Sequence, residues 1–188
     1  MNVSAPALPN VTAQSAIPGV EVERPATVGG HATFLNATGG STSYQFTVDA
    51  AKSQSFIFGV HMVNFPAYTI CNPSTSGYGA STWLTSCSKL TQPITMVATT
   101  WTDAHGRVRI DFNVDIRFHP NNNGQLPAVY LRDPSASLSD YSRIDYCASA
   151  GNCVNEAATD PVLQTRRDSV TGYLFRIIRH FSGCNVWA

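Results

Sequence analysis

RVRIDFNVDIRFH, residues Arg107 to His119, alternates from end to end: Val108, Ile110, Phe112, Val114, Ile116 and Phe118 fall on one side, and Arg107, Arg109, Asp111, Asn113, Asp115, Arg117 and His119 on the other. A period of two is that of a β-strand with one face in a core. The apolar side announces a sheet protein. The polar side has four readings: an active site, a metal site, a docking surface, or the wet side of a strand.

The same period recurs on both sides of this stretch, in residues 31–38 (HATFLNAT), 41–49 (STSYQFTVD), 55–65 (SFIFGVHMVNF), 93–101 (PITMVATTW), 126–132 (LPAVYLR) and 170–181 (VTGYLFRIIRHF). Glycine and asparagine clusters separate the segments, as turns require. The fold class that follows is all-β: an antiparallel β-sandwich, with jelly-roll and immunoglobulin-like topologies both open. Residues 1–27, with Pro6, Pro9, Pro18 and Pro25, read as an extended N-terminal arm, and residues 28–188 as one sandwich domain. Within that domain, residues 132–169 lack periodicity and read as a long loop excursion, in which Pro161 limits any helix to a turn or two.

Just before the opening stretch, Asp103-Ala104-His105-Gly106 is the tightest hairpin signal in the chain. A turn centred there sets Thr102 opposite Arg107, and hence Trp101 beside Val108, Thr99 beside Ile110 and Val97 beside Phe112. The predicted second face then joins Thr100 to Arg109, Ala98 to Asp111, Met96 to Asn113 and Ile94 to Asp115, a mixture of polar and apolar groups.

Composition narrows function. The chain has 188 residues, 13% of them charged, and a formal net charge of zero; average soluble proteins carry roughly a quarter charged residues. No basic stripe supports nucleic-acid binding, and no apolar run approaches the ~20 residues of a membrane helix. The first 25 residues lack the basic and apolar regions of a secretory signal. If Met1 replaces a removed signal, the expected location is extracellular or periplasmic; otherwise a virus particle fits. Five cysteines are present, at 71, 87, 147, 153 and 184. None has zinc-site spacing, and the favoured reading is two loop-closing disulfides, Cys71 with Cys87 and Cys147 with Cys153, which suits an oxidising compartment.

Asp111, Asn113 and Asp115 resemble the first half of a calcium loop, whose ligands come at every second residue. Ile116 stands where that loop needs glycine, and Asn122 where it needs its closing glutamate. Alternate residues of a strand stand about 6.7 Å apart, whereas ligand oxygens must all lie about 2.4 Å from one ion. No metal is assigned. No nucleophile elbow, zinc helix, phosphate-binding loop or dinucleotide fingerprint occurs in the sequence, and the histidines are scattered. No catalytic residue and no cofactor are therefore assigned. Alternating charge along Arg109, Asp111, Asn113, Asp115 and Arg117 guards a strand against slipped pairing; the same row is a candidate contact surface for a partner.

Aromatic side chains supply the second candidate. Tyr78 and Trp83 lie among Gly, Ser, Thr and Asn between Cys71 and Cys87, with Tyr68 just before. Aromatic faces beside small hydrogen-bonding residues are what a sugar or a protein stacks against, unless Trp83 turns inward as a plug. In the last strand Tyr173, Phe175 and Ile177 oppose Leu174, Arg176, Ile178 and His180, so both faces call for cover, by a loop, the arm or a neighbouring subunit.

The leading expectation is a non-catalytic structural or assembly protein, extracellular or in a virus particle, that acts by association with itself or with another structural protein. The alternatives are a secreted glycan- or ligand-binding module using Tyr68, Tyr78 and Trp83, and a hydrolase with its site in residues 140–168, tested through Asp145 or His119.

Overall fold

The computed structural model describes residues 28–132, 143–149, 152–168, 173–181 and 184–187. The expected arm, residues 1–27, lies outside them. The fold is a β-sandwich. Its smaller sheet has six strands in the order β1 (Val28–His31), β4 (Gln54–Phe58), β5 (His61–Phe65), β9 (Ala128–Leu131), β13 (Tyr173–Ile177) and β12 (Arg166–Asp168). The larger has seven: β11 (Asn152–Val154), β10 (Ile144–Ser149), β15 (Cys184–Trp187), β7 (Val108–Phe112), β6 (Ile94–Thr102), β3 (Ser41–Val48) and β2 (Thr33–Thr38). A two-stranded ladder pairs β8 (Ile116–Arg117) with β14 (His180–Phe181). All pairings are antiparallel except that of β1 with β4.

Aromatic rings from both sheets make the core. Phe46 of β3 stacks on Phe56 of β4 with centroids 4.8 Å apart, and Phe112 of β7 meets Phe58 of β4 at 6.0 Å and Phe181 of β14 at 3.9 Å. Such pairs add about 0.5–1.5 kcal/mol each to the effect of burial.

Turn chemistry fixes register, and at the central hairpin it differs from the sequence expectation by one residue. Asp103 N–H bonds Arg107 O and Gly106 N–H bonds Asp103 O, with Gly106 at φ 78°. The loop is thus three residues, a turn closed by a left-handed glycine. Thr102 pairs with Val108, Thr100 with Ile110 and Ala98 with Phe112. A shift of one residue exchanges the faces of β6: Met96 and Ala98 are buried, and Thr95, Val97 and Thr99 lie on the other side. There Thr99 bonds Ser43 and Thr95 bonds Thr47, both at 2.9 Å between hydroxyl oxygens.

The opening stretch is also two strands, not one. β7 ends at Phe112, where the Asn113 side-chain oxygen accepts from Val97 N–H at 2.6 Å while Asn113 N–H donates to Val97 O. An asparagine that caps its neighbour in this way occupies the groups that would extend the ladder. Residues 113–115 then carry the chain to β8.

Residues 132–169 contain more structure than their lack of period suggests. β10, β11 and β12 lie there, as do two 3-10 turns, Glu156–Ala158 and Pro161–Leu163. Asn155 and Asp160 cap those turns through side-chain oxygens that accept from Ala157 N–H and Val162 N–H.

Candidate functional site

The structure divides the polar row of the opening stretch. Arg109 and Arg117 are buried, Asp111 is half-buried, and Asn113 and Asp115 are exposed. Arg109 binds the Asp103 carboxylate through Nε and Nη2, at 3.0 and 2.9 Å, and sets Nη1 3.1 Å from Cys147 Sγ. Arg107 reaches the same carboxylate. Burial raises the Asp103 carboxyl, but backbone N–H bonds from Arg107 and His105 and the side chains of Arg109 and Arg107 outweigh it and hold the group well below the usual carboxylate range. Burial, reinforced by the charge of Asp115 and opposed by the Phe112 amide, pushes Asp111 the other way. Arg117 donates to the carbonyls of Thr82 and Thr85. As contact residues, Arg109 and Arg117 have almost no surface to offer. Their guanidinium groups are engaged inside the chain, Arg109 by Asp103 and Arg117 by the carbonyls of Thr82 and Thr85.

Both expected disulfides form, Cys71–Cys87 and Cys147–Cys153. In the ladder Cys147 stands opposite Cys153 on one side and Cys184 on the other.

Trp83 turns inward. It is 5% exposed, its Nε1 donates to Tyr78 O at 3.1 Å, and it stacks on the His180 ring at 5.3 Å. A side chain so placed closes the end of the sandwich and presents no face to a sugar. Beneath it lies a polar cluster that the sequence did not single out. Glu156 receives His180 Nε2 at 2.6 Å and pairs with Arg176, whose Nη1 donates to Ile144 O at 2.9 Å, while Tyr146 meets the His180 ring edge to face at 4.8 Å. Burial raises the Glu156 carboxyl, and the hydrogen bond from His180 with the charge of Arg176 more than reverses that, leaving it below its ordinary value. The signal for this cluster was Arg176, Arg179 and His180 interleaved with large apolar residues in one strand; their acidic partners, Glu156 and Asp160, are some twenty residues earlier. The same cluster supplies cover for β13, whose five residues are all buried.

Tyr78 is 42% exposed on the disulfide loop and Tyr68 is 55% exposed on the turn that precedes it. They belong to different surroundings: Tyr78 O accepts from Trp83, whereas Tyr68 lines a groove with Lys89 and the Asn121–Asn123 turn. Asp145 is buried and bonded through both oxygens to Arg143, and His119 Nδ1 lies 3.1 Å from Pro120 O. Among the described residues no three His, Cys, Asp or Glu gather as a metal site, and no helix is long and apolar enough to cross a membrane.

Exposed apolar residues also lie on β2, the end strand of the larger sheet. All six of its residues are exposed, including Phe34 at 58% and Leu35 at 45%. Gly39 and Gly40, both at positive φ, make the two-residue turn that folds β2 back on β3. Among the described residues no strand pairs with the far side of β2. Comparison with family models, with curated proteins and with solved structures returns no match.

Proposed function

We propose that this is a non-catalytic structural protein that works by self-association, the open edge of β2 joining β2 of a second copy. The observation that carries the reading is the edge itself. An edge strand exposes unpaired N–H and C=O groups, and proteins that stay apart blunt it with lysine, proline, bulges, inward charge or a covering loop. Thr33–Thr38 contains no charged residue and no proline, and its one irregularity is the shift of register between Phe34 and Asn36. Two such edges meeting antiparallel pair the backbones and cover Phe34 and Leu35 together. β1 and β2 are joined by Ala32 alone, so one short stretch of chain supplies an end strand to each of the two sheets. Two disulfides favour an oxidising setting, and the reading places the protein outside the cell or in a virus particle.

The test is the mass in solution, by light scattering after size exclusion, of the intact chain, of Leu35→Lys, and of the chain lacking residues 1–25. The intact chain is expected to form dimers or larger particles and Leu35→Lys to run as a monomer. Asn36 heads an Asn-Ala-Thr sequon on the same strand, so material glycosylated there should also be monomeric. A monomeric intact chain, at concentrations where other β-sandwich dimers are formed, defeats the proposal.

A further inference from the structure

Tyr68 is the one described non-glycine residue at positive φ, 60°. Left-handed backbone is costly for a side chain with a Cβ, and tyrosine has no short polar group to offset it locally. Neighbouring bonds hold it there. Tyr68 N–H donates to Ala50 O at 2.8 Å, Ala67 N–H to Ser53 Oγ at 3.0 Å, Thr69 Oγ1 to Pro66 O at 2.8 Å, and Asn121 Nδ2 to Ala67 O at 3.1 Å. Over-determined strain of this kind concentrates at binding sites. Packing does not account for the ring, which is more than half exposed. Glycine would satisfy the backbone at lower cost.

The ring borders a groove of about 620 Å³ lined by Ser53, Ala67, Tyr68, Lys89, Asn121–Asn123 and Gln125, within the size range of small-ligand sites. Asn121 is committed internally, receiving Asn123 and Gln125 N–H and donating to Gln125 Oε1. That leaves the Gln125 amide nitrogen, the Ser53 hydroxyl proton and the exposed Asn122 and Asn123 amides as hydrogen-bonding groups on the groove wall. Among the described residues that line it, Lys89 is the single charged one. Two of the three ammonium protons go to His119 O and Pro120 O, at 2.8 and 3.2 Å. Among the described residues no carboxylate lines the groove to neutralise the third.

We propose that this groove binds an oligosaccharide carrying a carboxylate, one sugar ring resting on Tyr68, its hydroxyls on the amides of residues 122–125, and its carboxylate on Lys89. An aromatic face with adjacent amides suits the apolar face and hydroxyl rim of a pyranose. The unshared cation selects an acidic sugar over a neutral one. Burial, with the charge of Arg117 beside it, lowers Lys89 to about 8, which keeps most of it protonated at neutral pH. This site stands apart from the β2 edge and does not depend on self-association.

The experiment measures binding of the full chain to tetragalacturonate, sialyllactose and neutral cellotetraose by calorimetry, with Tm for each variant. The wild type should bind an acidic saccharide and prefer it to cellotetraose. Tyr68→Gly should raise Tm by roughly 2–4 °C, about what the relief of one strained residue gives a domain of this size, and weaken binding about tenfold or more; Tyr68→Phe should keep most of it. Lys89→Met should remove the preference for acid. No binding to either acidic probe, equal binding of the neutral one, or wild-type affinity in Tyr68→Gly would each overturn the proposal. A fall in Tm for Tyr68→Gly overturns it as well, because the ring would then be there for packing.

Discussion

Trp83 and Tyr68 are fifteen positions apart, and both stand among the small polar residues that mark a binding loop. Their fates are opposite. Trp83 has its indole N–H bonded, its ring stacked on His180 and almost none of its surface in water. Tyr68 has an exposed ring on a backbone that tyrosine does not favour. One gives stability to the fold and the other takes it away. Composition nominates a loop, but burial and backbone conformation decide which aromatic residue is free to meet a partner.

The comparison is broken most severely from beneath Trp83. Glu156→Gln removes the charge that faces Arg176, leaving the buried guanidinium without a counterion, and should cost about 3–5 kcal/mol. Trp83→Ala should cost a similar or slightly smaller amount, about 3–5 kcal/mol, because it opens a cavity under the disulfide loop. Urea unfolding reads both. If Trp83→Ala leaves the midpoint unchanged, the indole is not a plug and the contrast with Tyr68 collapses. Tyr68→Gly lies at the other end of the scale, with the small gain in Tm stated above.

Acid sharpens the contrast through Asp103, which belongs to neither aromatic site. Its carboxyl titrates lower in the folded chain than in the unfolded one. Its stabilisation is therefore complete above the unfolded value of about 4 and is lost as pH falls from there toward the folded value. Asp103→Asn should flatten that part of the stability profile, followed by thermal melts between about pH 5 and 2. An unchanged profile would mean that Arg107 and Arg109 gain nothing from this carboxylate.

Much of the sandwich was legible, because seven segments with a period of two correspond to strands. What escaped were decisions made by single residues. Residues 55–65 read as one run but form the hairpin of β4 and β5, turned at Gly59. The register of β6 on β7 depends on whether the loop at Gly106 has three or four residues, which no periodicity records. The single-row reading of residues 107–119 failed at Asn113, whose side chain takes a backbone donor. Of the candidate site residues, Arg109 and Arg117 looked like surface charge because their partners, Asp103 and the carbonyls of residues 82 and 85, come together only through tertiary contacts. Tyr68 was legible as an aromatic near a loop, but its positive φ was not, since tyrosine gives no hint of it.

The placement of β15 has a consequence for synthesis. Residues 184–187 lie in the middle of the larger sheet, between β10 and β7. While the chain is still emerging from the ribosome, that sheet is two separate pieces, β11 with β10 and β7 with β6, β3 and β2, each with a raw inner border. For those seconds the nascent protein carries sticky borders, along β10 and β7, that the folded sheet lacks. Chaperone dependence during translation should consequently centre on the interval before residues 184–187 have emerged, and a ribosome stalled before that point should hold a chain that aggregates with its neighbours.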